Sequence, residues 1–535
     1  MLKKTNRVSQ LFTLGTLLYM TLTHASPLAT TPVINTSQGP IQGIVQESMQ
    51  QYKGIPYAKP PLGAQRWQPP IAAEPWTSTR ATTAFGPTCA TKLDLAGFGP
   101  TSNSEDCLYL NVYAPTATAE QGKRPVMVVI PGGGLIAGSG NEYNPQKLVE
   151  QGLIVVSFNY RLGVFGYFSH PALNAEGHAA INYGTLDQQA ALRWVRDNIA
   201  QFGGDPDNVT LYGESAGGQS VLTHLAAPAS AGLFHKGIVS SGAYLLQQRT
   251  VAEHNLAGEA LAQSLGCTDA QPSQVAACLR RQSTDTLLEH GLALAPSFGV
   301  NSDAATVDGT ILPMSLEAAF SSGQYHQVPV INGFNADEGS FFVGLMALGS
   351  EQPLNLASFA QAIPAFFNAE KTQKVINLLK KRPSSGNLGQ DYAEVFGKAK
   401  FICSTPTTNA LLAQRVPVYG YEFADDTSPT LLPPTTFPYG AAHINDLQYL
   451  FKDFHGATGP ITELNPAQKQ LSKRMVAYFS HFAKTGTPNG PGLPQWQTYA
   501  PQSDSVMRLH PDPTLTGMTP AMSERYGCTA FQSLN

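Results

Sequence analysis

Six short apolar runs rich in β-branched residues recur along the chain: PVMVVI (125–130), LIVVSF (153–158), NVTLYG (208–213), KGIVSS (236–241), VPVING (328–333) and VPVYGYEF (416–423). Such runs read as strands buried on both faces, the condition of a parallel sheet covered by helices. Helix-patterned stretches such as LDQQAALRWVRDNIAQF (186–202) lie between them. Strand alternating with helix sets the class as α/β. With 535 residues, 42% of them hydrophobic and 13% charged, the chain can bury a large core and is unlike a disordered segment. A formal charge of −4, with Lys and Arg scattered, leaves no basic field to attract a phosphate backbone, which argues against nucleic acid as a partner.

The first residues, MLKKTNRVSQLFTLGTLLYMTLTHAS, set Lys3, Lys4 and Arg7 before an apolar run from Leu11 to Leu22 and the small-residue site Thr23-His24-Ala25. This is the pattern of a cleaved secretory signal over residues 1–25, and it predicts an exported protein, extracellular or periplasmic. The run is too short to span ~30 Å of hydrocarbon, so no stable membrane anchor is expected. Export changes the reading of the six cysteines, Cys89, Cys107, Cys267, Cys278, Cys403 and Cys528. In an oxidising compartment an even number points to disulfides, and no CxxC spacing points to a metal. The residues leave most pairings open, but Cys267 and Cys278 can be argued. VAEHNLAGEALAQSLG (251–266) reads as an amphipathic helix stopped by Gly266, and PSQVAACLR (272–280) restarts with Pro272 in a first turn. A bridge there would staple a helix hairpin.

The third run continues as NVTLYGESAGGQS (208–220), a strand that bends at a glycine and proceeds into a helix. In an open parallel sheet, ligands bind at the carboxyl ends of the strands, and Ser215 stands just past one. Gly213 and Gly217 are what a nucleophile elbow needs. Helix and strand backbones approach too closely there for side chains, and the strained residue between them presents its Oγ to open space. The helix that begins near Ala216 aims free N–H groups and its positive end at an oxygen that becomes negative. G-x-S-x-G alone is weak evidence, since chance gives about 0.3 matches in a chain of this length. Its place between a strand and a helix makes Ser215 a candidate nucleophile.

A second glycine cluster, VVIPGGGLIAGSG (128–140), also follows a strand. The backbone N–H groups of Gly133 and Gly134, with that of Ala216, suit an oxyanion hole. Gly132, Gly134 and Ala137 also fit a dinucleotide fingerprint, but Gly138, Ser139, Gly140 and Asn141 would break the helix it needs, and the next strand ends in SFNYR with no acid for a ribose. A serine hydroxyl needs a base, and the base an orienting acid. His443, in YGAAHINDLQYLF (439–451), stands in a small-residue loop after the last predicted strand. VINGFNADEGSFF (330–342) offers Asp337 and Glu338 just beyond a strand end, and the residues alone leave the choice of acid open.

FGGDPDNVTLYGESAGG (202–218) resembles the serine signature of the type-B carboxylesterases, the family of liver carboxylesterases, cholinesterases and some fungal lipases, and EDCLYLNVYAP (105–115) resembles its second signature. The likeness extends through YKGIPYAKPPLGAQRW (52–67), NYRLGVFGYF (159–168), NYGTLDQQAALRWVRDNI (182–199), NADEGSFF (335–342) and KTGTPNGPGLPQW (484–496). It implies an α/β-hydrolase fold: one catalytic domain over residues 26–535, with a large, mostly parallel central sheet flanked by helices and helical insertions over an active-site gorge. It implies Ser215 as nucleophile, Glu338 rather than Asp337 as acid, His443 as base, and Gly133, Gly134 and Ala216 as oxyanion-hole donors. It pairs Cys89 with Cys107, Cys267 with Cys278, and Cys403 with Cys528. No metal or cofactor is implied. One position departs from the family pattern, in which histidine or another ring-bearing polar residue precedes the three glycines. Pro131 stands there, removing an N–H while leaving the donors of Gly133 and Gly134 intact.

The function expected is a secreted serine hydrolase acting on small-molecule carboxylic esters through an acyl-enzyme. The rivals are an interfacial lipase of the same family and a non-catalytic adhesion or binding protein on the same fold. ATKLDLAGFGPTSNSED, between Cys89 and Cys107, contains no tryptophan, has Phe98 as its only aromatic, and carries Lys92 and Asp94. It offers no Trp face to a quaternary ammonium and a poor surface to lipid, so soluble short- to medium-chain acyl esters are the expected substrates. Asn35 and Asn208 head N-x-[ST] sequons, which matter only in a glycosylating host.

Overall fold

A computed structural model describes residues 29–93, 99–116, 122–178, 181–298, 305–349, 354–455 and 462–534; the expected signal, residues 1–25, lies outside them. The chain begins with β1 (Ile34–Asn35), β2 (Pro40–Gln42), β3 (Ile44–Gln46), β4 (Met49–Pro56), β5 (Arg80–Ala81) and β6 (Tyr109–Pro115). It continues through β7 (Arg124–Ile130), β8 (Ile154–Phe158), β9 (Gly204–Glu214), β10 (Lys236–Ser240), β11 (Val330–Asn335), β12 (Val418–Phe423), β13 (Val506–Leu509) and β14 (Gly517–Thr519). β1, β2 and β5 form a small sheet, and the other strands form one 11-stranded sheet in the order β14-β13-β12-β11-β10-β9-β7-β8-β6-β4-β3. From β8 to β13 every neighbour is parallel, while β14 at one edge and β6, β4 and β3 at the other pair antiparallel.

The parallel strands are continuous apolar runs because both their faces are covered. In β7, Val126, Val128 and Ile130 pack into one core cluster, and Met127 and Val129 into another. The first cluster includes Ala191, Leu192 and Val195 of the helix Tyr183–Asn198 and Val221, Leu222 and Leu225 of the helix Ala216–Ala226. The second includes Leu471, Met475 and Phe479 of the helix Pro466–Thr485. Helices thus clamp the sheet from both sides, each fully buried branched side chain contributing about 1.5–3 kcal/mol.

All six apolar runs lie in this sheet as β7 to β12, with β9 starting earlier than expected, at Gly204. The His443 loop does follow β12, but β12 is not the last strand. β13 pairs parallel with it, and its four residues are too few to carry a readable pattern. The second signature, EDCLYLNVYAP, contributes β6, an antiparallel strand. Three disulfides close as the resemblance implied, Cys89–Cys107, Cys267–Cys278 and Cys403–Cys528. The second ties Cys267, three residues past the helix Val251–Ser264, to Cys278 within the helix Pro272–Arg281, the expected hairpin staple. Among the described residues no helix is long and apolar enough to cross a membrane.

Candidate active site

β9 ends at Glu214 and the helix Ala216–Ala226 begins two residues on, so Ser215 alone makes the turn. Its backbone, at φ 55° and ψ −124°, sits where residues with side chains are rare, a strain of order 1–3 kcal/mol that the surroundings must hold. Two hydrogen bonds do so: Ser215 N–H donates to the Ser240 carbonyl at 2.8 Å, and Gln219 N–H donates to the Ser215 carbonyl at 2.9 Å. A side chain at Gly213 would overlap the backbone of Gly217, and one at Gly217 would overlap the Ile130 carbonyl. Ser215 retains 7% exposure while Glu214 and Ala216 have none, so the serine is the part of the elbow open to a small substrate.

The glycine loop leaves the end of β7. Gly133 at φ 102° and Gly134 at φ 66° adopt conformations that favour glycine. The Gly133 carbonyl accepts from Ile136 N–H at 3.1 Å and Ala137 N–H at 2.9 Å, and the Tyr160 hydroxyl donates to the Pro131 carbonyl at 2.8 Å. The proline therefore enters a loop that is tied down on both sides. Among the described residues, the N–H groups of Gly133, Gly134 and Ala216 donate to no acceptor. Such unspent donors are what an oxyanion hole requires.

Glu338 follows β11 and is fully buried; its Oε2 lies 2.5 Å from His443 Nδ1, and its Oε1 accepts Asn335 N–H at 2.8 Å. Asp337 takes a different part, accepting Ala441 N–H at 2.9 Å and so tying down the loop that carries His443. Asn335 Nδ2 adds a bond to the Ala442 carbonyl at 2.7 Å. Neighbouring carboxylates thus divide the work, one on the imidazole and one on its loop.

On its other side His443 Nε2 lies 3.2 Å from Glu214 Oε1. That closeness is not a hydrogen bond: among the described residues Nε2 has no partner, and neither has either Glu214 oxygen. Among the described residues, serine and histidine are likewise not joined by a hydrogen bond. Burial, and then the neighbouring Asp446 and Glu338, push the Glu214 carboxyl well above the usual carboxylate range. That shift, chiefly the effect of burial, favours its protonated form. Asp446 is raised to about 6, by burial first and Glu338 second.

Sequence reasoning named the serine, the acid, the histidine and the loop donors, and the structure brings the acid and histidine together beside the elbow. It missed Glu214, Asp446 and a wall of rings. Phe401 and Phe342 lie 4.7 and 4.9 Å from the His443 ring and stack on one another at 5.3 Å, with Phe341 at 6.1 Å. Phe341 and Phe342 follow the acid within NADEGSFF, and their fixed offset from it was a usable signal. Phe401 belongs to a π-helix, Lys398–Ile402, a tertiary feature with no local pattern.

The profile of the carboxylesterase family matches residues 30–526. Human cocaine esterase is 32% identical over 519 residues, covering 90% of this chain and 89% of that protein. Mouse acylcarnitine hydrolase is 34% identical over 493 residues, covering 87% and 85%, and rabbit liver carboxylesterase 1 is 32% identical over 516 residues, covering 88% of each. A mostly parallel sheet, a serine elbow and a buried acid–histidine pair agree with that relationship. The chain belongs to the carboxylesterase family, with the α/β-hydrolase fold, and is a carboxylic ester hydrolase.

Proposed function

We propose that Ser215 is the nucleophile, His443 the general base and Glu338 the orienting acid of an acyl-enzyme mechanism. Ser215 Oγ bonds to the ester carbonyl carbon as its proton passes to His443 Nε2, and Glu338 balances the imidazolium. The carbonyl oxygen, now an anion, takes hydrogen bonds from the N–H groups of Gly133, Gly134 and Ala216. The C–O bond to the alcohol breaks, the leaving oxygen receives the proton from His443, and an acyl-serine remains. Water then adds with His443 as base, and the serine leaves with the acid released. The observation that carries this reading is the buried Glu338–His443 contact of 2.5 Å, with Nε2 directed to the residue preceding Ser215. Ser215→Ala and His443→Ala should each lower kcat by ~10⁴ with an unchanged circular dichroism spectrum. Near-normal esterase activity in folded Ser215→Ala protein would remove the nucleophile assignment.

The substrates we infer are soluble short- to medium-chain acyl esters. Phe341, Phe342 and Phe401 supply an apolar wall beside His443, and the loop between Cys89 and Cys107 has no tryptophan for a choline head. Part of that loop, residues 94–98, lies outside the described residues. A rate that jumped above the solubility limit of a triglyceride would favour an interfacial lipase instead. Export is supported by the signal pattern of residues 1–25 and by three disulfides.

A further inference from the structure

Gly132, Gly133 and Gly134 follow one another, and glycine loses more conformational freedom on ordering than any other residue. The donors of an oxyanion hole nevertheless have to be in place before charge develops on the substrate. With no side chains of their own, these three residues must be held from outside.

Two tyrosines grip a single peptide unit at the entrance to the loop. Between Pro131 and Gly132, the carbonyl oxygen accepts the Tyr160 hydroxyl at 2.8 Å and the N–H donates to the Tyr143 hydroxyl at 3.3 Å. Pro131 has no N–H, so this is the first peptide after β7 with both a donor and an acceptor to hold. Both tyrosines are buried, and losing either hydroxyl would leave a buried backbone group unpaired. A peptide is planar, so fixing both its ends fixes its plane, and the Gly133 N–H on the next peptide is then set by the two dihedrals of Gly132. The carbonyl of that next peptide packs against Gly138, where a β-carbon would come within 2.2 Å of it.

The turn that carries Tyr160, residues 159–163 after β8, anchors the rest of the loop. Gly163 N–H donates to the Leu135 carbonyl at 2.7 Å, just past the donor pair, and Asn159 Oδ1 accepts Gly140 N–H at 2.8 Å and the Ser139 hydroxyl at 3.1 Å at the far end. The turn is itself fixed by Arg161, whose Nε and Nη2 each donate to buried Asp187 at 2.8 Å and whose N–H does so at 3.1 Å.

We propose that Tyr160 and Tyr143 are positioning residues of the oxyanion hole, orienting the N–H groups of Gly133 and Gly134 through the peptide between Pro131 and Gly132. The inference rests on those glycines serving as oxyanion donors to a bond formed by Ser215.

Tyr160→Phe and Tyr143→Phe each remove one hydroxyl and keep the ring. On p-nitrophenyl butyrate each should lower kcat about 10-fold and leave KM within about 2-fold, because a misplaced donor matters most once the carbonyl oxygen is an anion. An alkyl trifluoromethyl ketone bonds through its carbonyl carbon to the serine Oγ, whose proton passes to His443, and its oxygen becomes the anion. Its affinity should fall by a factor similar to that in kcat. The corresponding trifluoromethyl carbinol, which forms no oxyanion, should bind wild type and variants alike. The two variants test the proposal independently, so if one fails to fold the other decides it. Loss confined to thermal stability, a rise in KM with kcat unchanged, or equal losses of ketone and carbinol affinity would show a merely structural role and overturn the proposal. Ketone inhibition that persists in Ser215→Ala would remove the nucleophile reading and this inference with it, whereas Ser215-dependent inhibition unchanged in both Phe variants would overturn the inference alone.

Discussion

Replacing Glu338 with glutamine should cost about 10³-fold in kcat, and the geometry says why. The carboxylate accepts two hydrogen bonds, Asn335 N–H on Oε1 at 2.8 Å and His443 Nδ1–H on Oε2 at 2.5 Å. An amide of the same shape has one acceptor oxygen. Its NH2 group must face either Asn335 N–H or His443 Nδ1–H, and in the second case the imidazole is forced into the tautomer whose Nε2 cannot take the serine proton. The variant also removes a negative charge from beside the imidazolium. With charge centres about 4 Å apart and an effective dielectric near 20, that interaction is worth ~4 kcal/mol, or about 10³ in rate. The assay is kcat on p-nitrophenyl butyrate, with circular dichroism to verify folding. Asp337→Asn, whose carboxylate bonds Ala441 N–H and does not touch the imidazole, should cost far less. A Glu338→Gln enzyme retaining a tenth or more of wild-type kcat, or a larger loss in Asp337→Asn, would refute this reasoning.

Other outcomes follow from the same structure. His224 is fully buried between Ser230 and Gln188, at 2.9 and 3.0 Å, and burial lowers it from 6.5 to about 3. The unfolded chain takes up this proton near pH 6.5 and the folded protein only near pH 3, so stability falls as pH drops through that window, by roughly 5 kcal/mol at its lower end. Denaturant titrations of His224→Gln should lose this component, and parallel pH profiles for variant and wild type would count against it. The Cys267–Cys278 and Cys403–Cys528 bridges span 11 and 125 residues, so chain entropy assigns them about 3 and about 5 kcal/mol. Paired Cys→Ala variants should rank in that order in thermal inactivation, and the reverse order would contradict the loop-closure account. Gly217→Ala should yield little folded protein because its methyl would overlap the Ile130 carbonyl, whereas Gly177→Asn, with open space around it, should be mild. Expression and melting curves of the two would separate them.

Legibility in the sequence followed how local each constraint is. The elbow could be read because its strand, turn and helix all lie inside the thirteen residues of NVTLYGESAGGQS, although the backbone that excludes a side chain at Gly217 is that of Ile130 in β7. β7 to β12 could be read because burial on both faces leaves continuous apolar runs. β13 could not, being four residues long and defined by its partner β12. The acid needed the family resemblance, since Asp337 and Glu338 are adjacent carboxylates and only the fold shows that one reaches the imidazole and the other a backbone N–H. Glu214 stood in plain view beside the serine, yet what raises its carboxyl, burial first and then Asp446 and Glu338, comes from parts of the chain distant in sequence. Phe401 was invisible for the same reason: a π-turn beside the Cys403–Cys528 bridge carries it to His443 across some forty intervening residues.

The central claim is that hydrolysis runs through a covalent bond to Ser215. A fluorophosphonate that traps serine hydrolases, followed by peptide mass spectrometry, tests it directly. One adduct per chain is expected, on the peptide containing GESAGG, forming in step with the loss of esterase activity and forming far more slowly in His443→Ala. Complete inactivation with the label on another residue, or full activity in protein labelled at Ser215, would contradict the account.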